Sequence, residues 1–80
     1  MLQLSPNPAV DQTLVWAEKP LHIGQTIRIT DLYGRVVRDI PVTGPQVWLQ
    51  RNGLPTGMYL LGLMEKGKKI AGGKVVWVNP

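Results

Sequence analysis

Turn-forming clusters cut this chain into short apolar runs at intervals of about 8 to 12 residues, the spacing of a β-sandwich or barrel and too short for packed helices. They include Pro6-Asn7-Pro8, Glu18-Lys19-Pro20, Asp31-Leu32-Tyr33-Gly34, Leu54-Pro55-Thr56-Gly57 and Glu65-Lys66-Gly67-Lys68. Proline removes a ladder donor and fixes φ, and glycine reaches the positive φ of tight turns, so each cluster stops a strand for a stated reason. No segment carries a helical apolar period.

Between the clusters the side chains alternate. Leu2 and Leu4 flank Gln3 in a short first strand that Pro6 ends, and Pro6 and Pro8 make a rigid extended turn. Thr13 to Ala17 sets Leu14 and Trp16 on one face against Thr13, Val15 and Ala17 on the other. Gln25 to Leu32 opposes Ile27 and Ile29 to Thr26, Arg28 and Thr30, a strand with one wet face. Gly34 then closes a tight hairpin onto Arg35 to Ile40. Gln46 to Gln50 is a strand that opposes Val47 and Leu49 to Trp48, which points to an exposed indole. Pro55 and Gly57 fit the second and fourth positions of a type I turn. Met58 to Met64 is a nearly unbroken apolar run, as in a central strand covered on both faces. After the turn at Glu65 to Lys68, Gly72-Gly73 predicts a bulge before the terminal strand, Lys74 to Val78. About seven short strands result, in an all-β domain.

Composition narrows the function. Eighty residues make one domain, in which folding buries only about 60% of the surface of an unfolded chain, so the stability margin is thin. A hydrophobic fraction of 44% with 18% charged residues is that of a folding chain. Without cysteine there is no disulfide, thiolate nucleophile or Cys-based metal site. No apolar run is long enough to span a bilayer as a helix, which argues against membrane insertion. The N-terminus has no basic region followed by an apolar stretch, so an exported protein is expected to contain this chain as one piece.

Chemistry-bearing residues are sparse. Ser5 and His22 are the single serine and histidine, without a motif around either, and a triad with Asp11, Asp31 or Asp39 has no support. His22 lacks partners at metal-ligand spacing, and no cofactor is implied. The carboxylates Asp11, Glu18, Asp31, Asp39 and Glu65 need a cleft to act as a glycosidase pair, and so small a domain has little volume for one; Asp31 reads as a turn acceptor. The net charge of +4 is spread over Arg28, Arg35, Arg38, Arg51, Lys66, Lys68, Lys69 and Lys74, without the interleaved aromatics of a nucleic-acid surface. Sugar binding needs more than one aligned aromatic, and sequence alone does not align Trp16, Trp48 and Trp77.

One ordered set of phrases is more specific. Pro6-Asn7-Pro8 with Asp11 is followed by Ile29-Thr30-Asp31-Leu32-Tyr33-Gly34-Arg35-Val36-Val37 and by Leu54-Pro55-Thr56-Gly57-Met58-Tyr59-Leu60-Leu61. Lys68-Lys69-Ile70 and Gly73-Lys74-Val75-Val76 close the set. In order and spacing this resembles the type A C-terminal sorting domain of the type IX, or Por, secretion system. The chain departs from that pattern in the glycine-rich stretch Met64 to Gly73 and in its Trp77-Val78-Asn79-Pro80 ending.

The resemblance implies an immunoglobulin-like antiparallel β-sandwich over residues 1 to 80, at the C-terminus of a larger secreted protein. Cargo precedes it covalently, the type IX translocon and a surface sortase are its partners, and its path runs through the periplasm to the cell surface or medium. It is not an enzyme. An immunoglobulin-like accessory module that binds carbohydrate or protein at the cell surface is the alternative. The candidate translocon contacts are Gly72, Gly73, Lys74, Val75, Val76, Trp77 and Val78, on the expectation that a terminal strand lies at a free edge and can pair with a partner, or with a second copy in isolation. Pro6, Pro8, Gly34, Pro55 and Gly57 are expected to be structural turn residues.

Overall fold

The computed structural model describes residues 1–80, and its seven strands fall where the alternation places them. They are β1 (Gln3–Ser5), β2 (Gln12–Trp16), β3 (Thr26–Thr30), β4 (Val36–Pro41), β5 (Val47–Gln50), β6 (Gly57–Glu65) and β7 (Lys68–Trp77). A three-stranded sheet has the order β1-β2-β5 and a four-stranded sheet the order β4-β3-β6-β7, with every strand pair antiparallel. The fold is an all-β sandwich of immunoglobulin type.

One side chain in two along β2, β3, β5, β6 and β7 fills the space between the sheets, while β1 and β4 bury none fully. Thr13, Val15, Val47 and Leu49 come from the smaller sheet, and Ile27, Ile29, Tyr59, Leu61, Leu63, Val75 and Trp77 from the larger. At about 25 cal/mol per Å² of apolar surface, these residues supply most of the folding drive. The buried Thr13 hydroxyl donates to Pro6 O at 2.6 Å, so its burial leaves no orphan donor. The Trp77 indole Nε1 is the one buried side-chain polar atom without a partner. Tyr59 donates its hydroxyl to Pro55 O at 3.0 Å, an aromatic corner of the kind immunoglobulin-like sandwiches use to fix a strand to the loop before it.

The hairpin at Asp31 forms as expected. Gly34 has φ 85°, its N–H donates to Asp31 O at 3.1 Å, and Asp31 N donates to Arg35 O at 2.9 Å. The Asp31 carboxylate accepts from Tyr33 N at 2.9 Å, Arg35 N at 3.0 Å and Arg35 Nε at 2.8 Å. Desolvation pushes this carboxyl up and is the largest single influence. The hydrogen bonds from Arg35 and Tyr33, with the Arg35 charge, together outweigh it and hold the group below the ordinary aspartate range.

Three local readings are corrected. The closed turn beside Pro55 lies three residues earlier, where Leu54 N donates to Arg51 O at 3.1 Å across Asn52 and Gly53, both at positive φ. Gly57, at φ 139°, opens β6 instead of ending that turn. Second, β6 is central between β3 and β7 but covered on one face only: Met58 and Leu60 are 39% and 44% exposed, because a two-layer sandwich leaves each sheet an outer side. Third, Gly72 and Gly73 pair regularly with Gly62 and Leu61. The irregularity falls at Leu63/Met64, where Ile70 is the extra residue between Ala71 and Lys69, and β7 runs unbroken through the glycines.

Candidate recognition surface

The predicted contact residues occupy the second half of β7, an edge strand of its sheet. The pleat divides them. Val75 and Trp77 are fully buried and Gly73 turns toward the core, while Gly72, Lys74, Val76 and Val78 take the opposite parity; Lys74 is exposed and Val78 is 36% exposed.

Gly72 and Gly73 have different reasons to be glycine. A Cβ on Gly73 would stand 3.1 Å from Leu2 Cβ and 3.4 Å from Leu4 Cδ1, so its absence admits the N-terminal segment. A Cβ on Gly72 would crowd the flexible end of Lys69, at 3.1 Å from Cε, and stand in ordinary contact with Leu61 O at 3.6 Å.

The expected free edge of β7 is largely occupied by the chain's own first residues. Leu2 N donates to Gly72 O, Ala9 N donates to Val76 O and Val78 N donates to Ala9 O, all at 2.9 Å. Between these, Asn7 supplies its side chain: Nδ2 donates to Lys74 O and Oδ1 accepts from Val76 N, both at 3.0 Å. Pro6 and Pro8 have no N–H to offer, so the amide of the residue between them does the work of a strand backbone. Arg51 secures the far end, with Nη1 donating to Val10 O and Val78 O at 3.0 Å each and Nε donating to Leu54 O at 2.8 Å. Asn7 and Arg51 were missed in the sequence; a hydrogen-bonding side chain enclosed by two prolines is the signal that could have found the first.

This clasp leaves a gap. Lys74 N–H points the same way as Val76 N–H, by the two-residue period, yet receives no partner from the N-terminal segment. A groove lined by Leu2, Leu4, Asn7, Leu60, Gly73 and Lys74 opens beside it. Across the outer face of the sheet Lys74 stands opposite Leu60, and Leu60 opposite Thr30, which pairs with exposed Val36. The result is an uncharged row of Leu60, Thr30 and Val36 with one cation at its end. The other edge of this sheet is less accessible to a pairing strand: β4 ends in Pro41, which has no N–H, and its register shifts beside Thr30.

The Ser5, His22 and Asp residues do not assemble: His22 Nε2 lies 3.0 Å from Glu65 Oε1, and Gln25 Nε2 donates to the same oxygen at 3.1 Å, in a surface network without a nucleophile. Among the His and carboxylate side chains no group of three could hold a metal. No helix is long and apolar enough to cross a membrane.

A comparison with curated proteins finds no match. The family model described as secretion system C-terminal sorting domain matches residues 3–78, nearly the whole sandwich from β1 to the residue after β7. The ordered turn phrases, the two-sheet fold and this match agree, and the chain belongs to the C-terminal sorting domains of the type IX secretion system.

Proposed function

We propose that the domain carries the address of its cargo in the uncovered stretch of β7 around Lys74. Sorting domains of this family direct type IX cargo to the cell surface or the medium, a signal role and not a catalytic one. In the reading favoured here, cargo precedes residue 1 covalently and the folded sandwich is presented in the periplasm. The translocon engages the Lys74 groove with the outer row of Leu60, and a surface sortase then removes the domain.

The observation that carries this reading is the gap between the Leu2 and Asn7 contacts, the one stretch of the terminal strand where a backbone donor, a cation and an apolar groove lie together. A machine that accepts folded cargo reads a shape, and this shape is rigidly backed by Val75 and Trp77.

The test is a fusion of a signal peptide, a folded fluorescent reporter and this domain in a type IX-competent host, compared with a translocon-deficient strain. Lys74→Glu and Leu60→Glu, both at exposed positions, should leave the fusion folded and strand it in the periplasm. Normal export of both variants would remove the Lys74 surface from consideration. Truncation at Lys74 is a poor test, because it also deletes the core residues Val75 and Trp77.

A further inference from the structure

The outer face of the β1-β2-β5 sheet touches the Lys74 groove only through Gln3, and its composition is unlike the rest of the molecule. Register pairs Gln3 with Trp16, Leu14 with Trp48 and Gln12 with Gln50 on this side, while Val15, Leu49 and Thr13 point into the core. With Ser5, these outward positions hold no ionisable side chain, although the chain has nine Lys and Arg and five Asp and Glu. Gln46, exposed just before β5, adds another amide. Four of the chain's five glutamines therefore gather at one uncharged sheet.

Two indoles share this face. Trp48 is 52% exposed and Trp16 half-buried. Trp48 lies directly across from Leu14, in a pair whose side chains are close because the ladder bonds fall on either side of it, as Arg51 N donating to Asp11 O sets the phase. Trp16 is then its diagonal neighbour, at the roughly 7–8 Å spacing of diagonal residues in an antiparallel pair, near enough for one extended ligand to cover both rings. Neither indole N–H is bonded within the chain. Gln50 Nε2 donates to Gln12 Oε1 at 2.9 Å, which orients both amides and leaves the Gln12 NH₂ and the Gln50 oxygen unpaired.

We infer that this face docks an extended, uncharged polysaccharide. A hydroxyl both gives and receives a hydrogen bond, and an amide is the uncharged side chain that can answer it both ways. The C–H face of a pyranose ring packs on an indole as an apolar surface does, while the indole N–H serves the rim. Absence of Lys and Arg argues against a nucleic acid or an anionic polymer. A protein partner would be met by Arg, Tyr and Met around the tryptophans, and the outward strand positions have none; the Arg38 guanidinium at the β5 edge is engaged in donating to the carbonyls of Gln50, Arg51 and Asn52. Trp16, Trp48, Gln12, Gln46 and Gln50 lie on an open sheet face and line no deep pocket, which suits a chain lying along it over a single sugar buried in a cleft.

The 80-residue domain is titrated with cellohexaose, laminarihexaose and mannohexaose, with alginate as the anionic comparison, and followed by tryptophan fluorescence and by NMR of the indole and glutamine side-chain N–H groups. Saturable binding of at least one neutral hexasaccharide is expected, with shifts at Trp48, Gln12 and Gln50 and none at buried Trp77. Trp48→Ala and Gln50→Ala, at exposed positions, should retain the wild-type melting profile and weaken binding by about tenfold or more. Lys74→Ala should not change it. No saturation by any neutral hexasaccharide, equal affinity of both variants, or preference for alginate would overturn the proposal. A dimer that Trp48→Ala dissociates, without a sugar effect, would assign the face to a second copy instead. Export plays no part in the readout, so the result stands apart from the sorting role.

Discussion

Asn7 and Val76, 69 residues apart, are joined by a hydrogen bond in which a side-chain oxygen replaces a strand carbonyl. The same amide donates to Lys74 O, so one side chain spans two ladder positions of the terminal strand. Asn7→Ala deletes both bonds and returns Val76 N–H to solvent. At about 0.5–1.5 kcal/mol per bond the loss should be about 1–3 kcal/mol, read from urea midpoints at constant m-value. Hydrogen exchange should accelerate at Val76 and leave Val75 protected. Unchanged exchange at Val76 would show that the amide does not hold the edge.

The two adjacent glycines should respond differently to alanine. Gly73→Ala places a methyl group 3.1 Å from Leu2 Cβ and should push the N-terminal segment off β7, at a cost of about 1–3 kcal/mol. Gly72→Ala crowds only the end of the flexible Lys69 side chain, with Leu61 O at an ordinary 3.6 Å, and should be nearly neutral. Equal melting temperatures for the two variants would contradict this division.

Trp77 combines full burial with an unpartnered Nε1 donor. Trp77→Ala should cost about 3–5 kcal/mol and can unfold so small a domain. Trp77→Phe gives up some packing but removes the orphan N–H, whose burial costs about 1–3 kcal/mol. The net change should fall within about 1 kcal/mol of wild type, as thermal and chemical unfolding would reveal.

Acid should weaken the β3–β4 hairpin through Asp31. Its folded-state pKa is depressed, so the stabilisation is complete above the ordinary aspartate value of about 3.9 and is lost as pH falls through the lower folded value. Asp39 acts in the same direction, because the Arg28 side chain donates to its carboxylate at 3.0 and 3.1 Å, an effect that outweighs desolvation. Asp31→Asn should flatten the fall in stability below about pH 4. An unaltered pH profile in that variant would count against the assignment.

Local chemistry made most strands and two of the principal hairpins legible. Gly34 and the Lys66-Gly67 turn declare themselves because positive φ is a demand on single residues. Ile27 and Ile29 were assigned to the buried face by period alone, and exposure of Trp48 followed from its parity with Gln46 and Gln50. What stayed hidden depends on pairing between distant segments. Nothing local to Lys74–Val78 reveals that Leu2, Asn7 and Ala9 will lie along it, and nothing local to Gly73 reveals the Leu2 side chain it must admit. The apolar run from Met58 to Met64 misled for a related reason: hydrophobicity registers how much a strand prefers to be covered, and the number of layers decides whether it is.

Residues 2 to 9 run parallel to the terminal strand, as the rising order of their partners from Gly72 to Val78 and the Ala9–Trp77 bridge require. That geometry governs how the domain bears tension. When a load drawn through the segment ahead of Leu2 opposes a grip on the C-terminal end, the force acts along the two strands and not across them. The Leu2, Asn7 and Ala9 bonds are then sheared together instead of peeled one after another, and rupture must break several in a single event, which slows forced unfolding. The clasp thus makes the domain a coupling that can be pulled from its entry side without coming undone.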